Sequence, residues 1–310
     1  MSAGYTALRE SAAWLDVSPR TKIRTQGPDA ARLLHALTTN HIQELGPGRG
    51  CYAFFLDAQG HILADATILR RQEDFWLDAE PEVRNLLLEH LDRYIIADDV
   101  TPEDVTDHWA AIAVEGPRAA EFLAASGGPA PNGLWAHADW DGAPVARLDL
   151  SGVPGYVVYI PPERKERLIR QLEQAGAVAA SPEDARIVRI EQGKPRYGED
   201  IRERHLPQET QSLYAVHFSK GCYLGQEIVE RLRSRGRVKR LLVRLEIETQ
   251  IPPPPGTPCG GGQITSAVFS PASGKVAALA YVDASLAVPQ TTVEAAGAPA
   301  RVLPPYQPGA

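Results

Sequence analysis

The chain has 310 residues, 44% of them hydrophobic and 23% charged, with a formal net charge of -7. That length exceeds an ordinary single domain and that balance belongs to a soluble globular protein, so two or three domains are expected. The negative charge excludes nucleic-acid binding over the whole surface and leaves only a local basic patch open. Three widely spaced cysteines (Cys51, Cys222 and Cys259) fit neither a disulfide framework nor a zinc motif.

No apolar run reaches the length of a membrane span, and residues 1–19 lack the basic start and apolar core of a secretory signal, so a reducing cytoplasm is the expected setting. Residues 1–26 carry few signals, and Trp14, Leu15 and Val17 read as cover for a sheet edge. Gly27-Pro28-Asp29 opens a helix with proline at its first position, on which Ala30, Leu33, Leu34 and Leu37 form one apolar stripe that ends at Thr38-Thr39-Asn40. An aromatic strand over 51–56, a turn at Asp57-Ala58-Gln59-Gly60 and a second strand over 61–69 predict a hairpin. A further strand over 74–79 follows, then a helix from Pro81 whose Val83, Leu87, Leu91 and Tyr94 share a face.

The pattern Gly-Pro-x-Ala-Ala-x-apolar-Leu-x-Ala occurs at 27–36 and again at 116–125, each time ahead of strands and a helix; in the second copy these lie over 144–150, 155–160 and 162–175. Two similar α+β units, related by duplication and open to interleaving, are therefore expected in residues 1–240. Ser181-Pro182-Glu183-Asp184 is a helix start, with a serine cap, proline in the first turn and acids at the positive dipole end; Gly193 is placed to terminate that helix. Beyond Arg240 alternating hydrophobicity, Pro252–Gly256 and Gly260-Gly261-Gly262 predict a β-barrel over 241–310, with the last residues fraying.

The densest chemistry lies at Lys220-Gly221-Cys222-Tyr223-Leu224-Gly225-Gln226-Glu227. A thiol just ahead of a helix-like run meets free N–H groups, and a neighbouring lysine favours its thiolate, so Cys222 is a candidate reactive cysteine. Gly221 and Gly225 permit tight bends, while Gln226 and Glu227 supply donors and acceptors. The alternative is a strand-to-helix corner with Cys222 as a small buried hydrophobe. Arg231, Arg233, Arg235, Arg237, Lys239 and Arg240 form a basic cluster that suits a polyglutamate tail, an RNA backbone or an acidic partner, against the alternative of a solvated helix end.

Together, Arg189-Ile190-Glu191-Gln192-Gly193-Lys194-Pro195-Arg196-Tyr197-Gly198, Pro207-Gln208-Glu209 and the Lys220–Glu227 element resemble the signature of the folate-binding YgfZ family, a branch of the glycine cleavage T-protein (aminomethyltransferase) superfamily. The resemblance implies a T-protein-like α+β fold, with two subdomains around a folate channel and a C-terminal barrel. It also implies tetrahydrofolate as cofactor. By the family segment Gly-x-Ile-x-x-Asp, here Gly60–Asp65, it implies that Asp65 stands beside the folate nitrogens, where a carboxylate can hold a cationic adduct or move its proton; the alternative is a strand aspartate facing solvent.

Arg189 and Glu191 match the family's Arg-x-Glu, and they and Tyr197 are implied to contact folate; a structural ion pair is the alternative for the first two. Where the transferases carry an acid in Thr-Gly-Glu-x-Gly, this chain has Ser151-Gly152-Val153-Pro154-Gly155, and because Val153 cannot accept a hydrogen bond through its side chain this departure argues against transferase activity. The reading expected from the resemblance is an accessory protein for iron-sulfur cluster assembly or repair and for tRNA modification by cluster enzymes. An aminomethyltransferase or demethylase and an RNA-binding module are its rivals.

Overall fold

The computed structural model describes residues 1–309, with the side chain of Arg235 outside the described set. Helix α1 (Ala3–Glu10) and strand β1 (Ala13–Asp16) precede β2 (Thr21–Gln26), α2 (Ala30–Leu37), β3 (Arg49–Leu56), β4 (Ile62–Arg70), β5 (Asp74–Ala79), α3 (Arg84–Tyr94) and β6 (Thr101–Asp104). Next come β7 (Ala110–Glu115), α4 (Ala119–Ala125), β8 (His137–Trp140), β9 (Ala143–Ala146), β10 (Gly155–Ile160), α5 (Lys165–Gln174) and β11 (Val178–Ala179). Helices α6 (Pro182–Gln192) and α7 (Gln226–Arg235) lead to β12 (Arg240–Ile247), β13 (Pro258–Cys259), β14 (Gly262–Ser270), β15 (Lys275–Asp283), β16 (Thr292–Ala295) and β17 (Ala298–Leu303). Among the described residues no helix is long and apolar enough to cross a membrane.

Three sheets result. One has five strands in the order β3-β4-β5-β2-β6, a second has six in the order β11-β1-β7-β10-β9-β8, and β12-β15-β14-β13-β16-β17 closes into a barrel. The first two sheets share a core in which Leu69 and Trp76 of one meet Ala113, Val157 and Tyr159 of the other. Helices α2 and α3 cover the outer face of the first through Leu33, Leu34, Leu37, Leu87 and Leu91, while α4 and α5 cover the second through Phe122, Leu123, Leu168 and Leu172. Each sheet is thereby buried on both faces, which explains strands as uniformly apolar as Ala110–Val114. The mixed α+β architecture with a C-terminal barrel is as expected.

The repeat is present in three dimensions as well. Strand β2, Gly27 and α2 correspond to β7, Gly116 and α4, and the two glycines have φ of 117° and 128°. A Cβ would lie 2.1 Å from Asp99 O at Gly27 and 2.5 Å from Ser11 O at Gly116, so each strand-to-helix turn packs directly on another backbone. Both helices begin at the first alanine, later than expected from the prolines; Asp29 makes no side-chain cap to its own helix and instead accepts from Asp99 N at 2.9 Å.

The reading of Trp14, Leu15 and Val17 as an edge cover is corrected. Strand β1 lies inside the second sheet, antiparallel to β7 and parallel to β11, although the whole first sheet is inserted between them in sequence. Four residues are too few for periodicity to reveal such a strand. Helix α6 has the anticipated capping box, with Ser181 Oγ accepting from Asp184 N at 3.1 Å and Asp184 Oδ2 accepting from Ser181 N at 2.9 Å; it ends at Gly193 in the left-handed region.

Because position 27 combines positive φ with a carbonyl inside van der Waals distance, Gly27→Ala is expected to lower the unfolding free energy by about 3 kcal/mol. Urea denaturation followed by circular dichroism measures it, and a loss near that of an ordinary surface substitution would remove the turn from the constraints on the fold.

Candidate functional site

A cavity of about 760 Å³ lies between the two sheets, α6 and the segment that follows the barrel. Period-two alternation on the β3–β4 hairpin builds one wall: Tyr52, Asp65 and Thr67 face the cavity, while Ala64 and Ile68 enter the core behind. Strand β7 contributes Glu115, and the loop into β10 contributes Asp149 and Ser151. The Tyr214 ring lies 5.7 Å from that of Tyr52, 6.3 Å from that of Trp135 at a tilt of 27°, and 6.4 Å from that of Tyr306. These four rings give the cavity an aromatic side suited to a flat ligand. Tyr306 is drawn back from beyond the barrel by its hydroxyl bond to Asp149, which Lys194 also holds.

Among the described residues seven acidic side chains line the cavity, and pairing separates them into two kinds. Five carry a cationic partner: Asp16 has Lys165, Asp78 has Arg20, Glu80 has Arg20 and Arg196, Asp149 has Lys194, and Glu199 has Arg186 and Arg189. Asp65 and Glu115 have none among the described residues. Asp65, 6% exposed, accepts from Tyr52 Oη at 2.5 Å; burial, only partly offset by that bond, pushes its pKa up to about 6. Glu115, 1% exposed, accepts from Ser151 N at 2.9 Å and from Ser151 Oγ, and burial pushes it up to about 7. Two carboxyl groups that change protonation near neutrality thus enter one cavity from opposite sheets, an arrangement suited to accepting ligand N–H groups and to moving a proton.

The model of the GCVT N-terminal domain matches residues 1–220, and that of the glycine cleavage T-protein C-terminal barrel domain matches residues 240–305. The chain belongs to the glycine cleavage T-protein family. It is 33% identical over 294 residues to the aminomethyltransferase of Rubrobacter xylanophilus, covering 91% of this chain and 79% of that one. To the Streptomyces avermitilis aminomethyltransferase it is 31% identical over 308 residues, with coverages of 93% and 82%. The crystal structure of glycine cleavage system aminomethyltransferase T from Bartonella henselae superposes with a TM-score of 0.87 at 21% identity, covering 97% of this chain and 87% of that one, and so shares its fold.

The residues expected to act in this T-protein-family chain divide sharply. Asp65, Arg189 and Tyr197 all line the cavity. The Tyr197 hydroxyl donates to Leu63 O on the strand that carries Asp65. Arg189 is held by Asp200 at 2.7 Å, by Glu199 and by Lys194 O at 2.7 Å, while its Nε is buried without a partner among the described residues. The expectation for Glu191 is corrected. It points away from the cavity, accepting from Tyr5 Oη at 2.8 Å, Arg9 at 2.5 Å and Ser270 Oγ, and so ties α6 to α1 and the barrel. Two residues after Arg189 on a 3.6-residue helix, it projects to another side. Val153 is buried in the core between the sheets.

The Lys220–Glu227 element works differently from the expectation. Lys220 is buried, its ammonium donating to His35 O at 2.5 Å and to Thr38 O at the end of α2 and lying 5.0 Å from the Tyr223 ring centroid; it caps a helix rather than serving the thiol. Gly221 (φ 96°) turns the chain outward, Cys222 is exposed, Tyr223 returns to the core, and Gly225 packs against the β3–β4 turn, where a Cβ would lie 2.6 Å from Asp57 O. Helix α7 starts only at Gln226, whose N–H donates to Tyr223 O at 3.1 Å, and Glu227 is exposed in its first turn. Cys222 is neither a buried hydrophobe nor part of the cavity lining. Of the basic cluster, Arg231, Arg233, Arg237, Lys239 and Arg240 are exposed, and the Arg235 side chain lies outside the described residues.

Residues missed from sequence are Glu115, Ser151, Tyr52, Tyr214 and Tyr306. The available signal for Glu115 was a lone acid closing an otherwise apolar strand before a glycine.

Two measurements test this geometry. The folded-state pKa of Asp65 lies above its unfolded value, so its ionisation lowers stability as pH rises from about 4 to 6, and the deficit persists above. Asp65→Asn is therefore expected to unfold about 1–3 kcal/mol later than wild type at pH 7.5, with the gain shrinking towards pH 4; a pH-independent difference contradicts an unpaired carboxylate. Second, Cys51 and Cys259 are buried, their thiols pushed up to about 12 and about 11, so iodoacetamide at neutral pH should label one thiol per folded chain, and none in Cys222→Ser.

Proposed function

We propose that the cavity binds a reduced folate and that the chain is an accessory protein of the YgfZ type, supporting assembly or repair of iron-sulfur clusters and tRNA modification by cluster enzymes. The observation that carries this reading is the separation of parts: cation-free carboxyls and an aromatic side within the cavity, and the Lys220–Glu227 loop opening its thiol to solvent.

The residues fit the ligand. About 760 Å³ falls within the usual range of small-molecule sites, roughly 300–1,000 Å³, and the Tyr52–Trp135–Tyr214–Tyr306 rings suit a pterin and an aminobenzoyl ring. Tetrahydrofolate supplies two amine nitrogens that carry a one-carbon unit. Asp65, steadied by Tyr52, gives or takes a proton at its carboxyl oxygens near neutral pH and offsets positive charge beside it. Arg189 presents its guanidinium edge at the cavity wall, where its ion pairs to Glu199 and Asp200 hold it still. Cys222 belongs to partner chemistry outside, where an exposed thiol on a loop pinned by Lys220 and Tyr223 can meet another protein.

A second reading, folate-dependent aminomethyl transfer, is favoured by the names of the relatives and by the position of Asp65. Calorimetric titration with tetrahydrofolate, followed by a complete glycine cleavage assay in which this chain replaces the aminomethyltransferase, separates the two. The expected result is binding without turnover, together with restored iron-sulfur enzyme activity in cells lacking the protein, by wild type but not by Cys222→Ser. Turnover would establish the transferase instead, and absence of reduced-folate binding by a folded sample would remove both.

A further inference from the structure

We propose that Glu115 is the acceptor for the amino-pyrimidine edge of the ligand, the ring N–H and exocyclic NH₂ of a reduced pterin; this deepens the folate reading and rests on it. Glu115 is the last residue of β7, paired with Ala13 on one side and Gly155 on the other. Gly155 makes room for it, since a Cβ there would lie 2.7 Å from Glu115 Cγ and 3.1 Å from Oε1. Ser151 then fixes the carboxyl plane by donating from N to Oε1 at 2.9 Å and from Oγ to Oε2. The loop that carries Ser151 is itself closed by Leu148 N to Gly155 O at 3.1 Å and Gly152 N to Asp149 O at 3.0 Å.

This carboxyl is incompletely served. Each oxygen accepts two hydrogen bonds and has one from the protein, and no lysine, arginine or histidine among the described residues pairs with it. Lys194, the cation that acts on it through space, is committed to Asp149. A carboxyl that is 1% exposed yet lines a cavity takes its further donors from water in that cavity or from a ligand that displaces the water, and a ligand with matching N–H groups replaces those bonds without loss. An anionic ligand group would meet repulsion here, whereas a flat ring with adjacent N–H and NH₂ donors satisfies both the acceptor and the aromatic wall. Asp65, on the opposite sheet, is then left for the nitrogens that carry the one-carbon unit. If Glu115 served only to fasten the Ser151 loop, an amide of the same shape would serve equally well.

The test compares affinities for tetrahydrofolate and its 2-desamino analogue, measured by anaerobic calorimetry on the full chain as wild type, Glu115→Gln and Ser151→Ala. Wild type is expected to prefer tetrahydrofolate by at least roughly tenfold, as for hydrogen bonds to a charged group. Glu115→Gln is expected to lose roughly 10- to 100-fold in tetrahydrofolate affinity and to bind both ligands alike, with wild-type circular dichroism. Ser151→Ala, which keeps the carboxyl, retains the preference. Unchanged affinity and preference in Glu115→Gln would overturn the inference. So would tetrahydrofolate binding by wild type without preference, an outcome that needs no variant to fold and leaves the folate reading standing. If wild type binds neither ligand, the folate reading falls and this inference with it.

Discussion

The arrangement depends on one buried ion pair. Asp200, fully inaccessible, accepts from Arg189 at 2.7 Å and from Arg196 N at 3.1 Å through one oxygen, and from Thr265 Oγ1 at 2.6 Å and Ser266 Oγ at 2.7 Å through the other. Those hydroxyls sit at the bulge in β14, so a single carboxylate joins α6, the turn after it and the barrel. A buried pair of this kind stabilises little against an apolar substitute, but removing either member leaves a charge without compensation. What it secures is position: Lys194, Arg196 and Tyr197 are delivered into the cavity by the turn that Asp200 closes. Glu191 repeats the device on another side of α6, towards α1 and Ser270.

The thiol loop and the cavity are separate yet mechanically joined. Gly225 rests on the Asp57–Gly60 turn, Ile228 packs against Gly60, and the strand leaving that turn carries Asp65 three residues beyond Ile62. Ile62 N donates to His205 O at 2.9 Å, and Tyr197 clasps Leu63 O, so the approach to Asp65 is gripped by the segment between α6 and α7. An event at the Cys222 loop has a short, packed route to the cavity wall, through backbone rather than through side-chain charge.

Local features of the fold were legible because local physics specifies them. The Ser181–Asp184 capping box, Gly193, the 51–69 hairpin and the barrel all came from caps, turns and periodicity. Asp65, Arg189 and Tyr197, which line the cavity, were singled out only through motif resemblance, since nothing in their neighbours in sequence marks a cavity. Tertiary partners decided the rest. Glu191 was misread because Tyr5, Arg9 and Ser270, 79 or more residues away, claim it. Lys220 was misread because its targets, the carbonyls of His35 and Thr38, lie at the end of a distant helix. Glu115 gained meaning only once the other acids of the cavity were seen to be paired.

The position of β1 carries a consequence for biosynthesis. Residues 21–104 contain every strand of the first sheet, which can therefore assemble while the chain is still being extended. Strand β1, made earlier, finds its antiparallel partner only when Glu115 pairs with Ala13, and its parallel partner only at Val178. At translation speeds of about 5–20 residues per second this segment stays unpaired for several seconds beside a ribosome, with Ala13 and Leu15 uncovered. The nascent protein thus passes through a stage with one finished sheet and one waiting strand, the period in which a chaperone or a competing strand edge would find it.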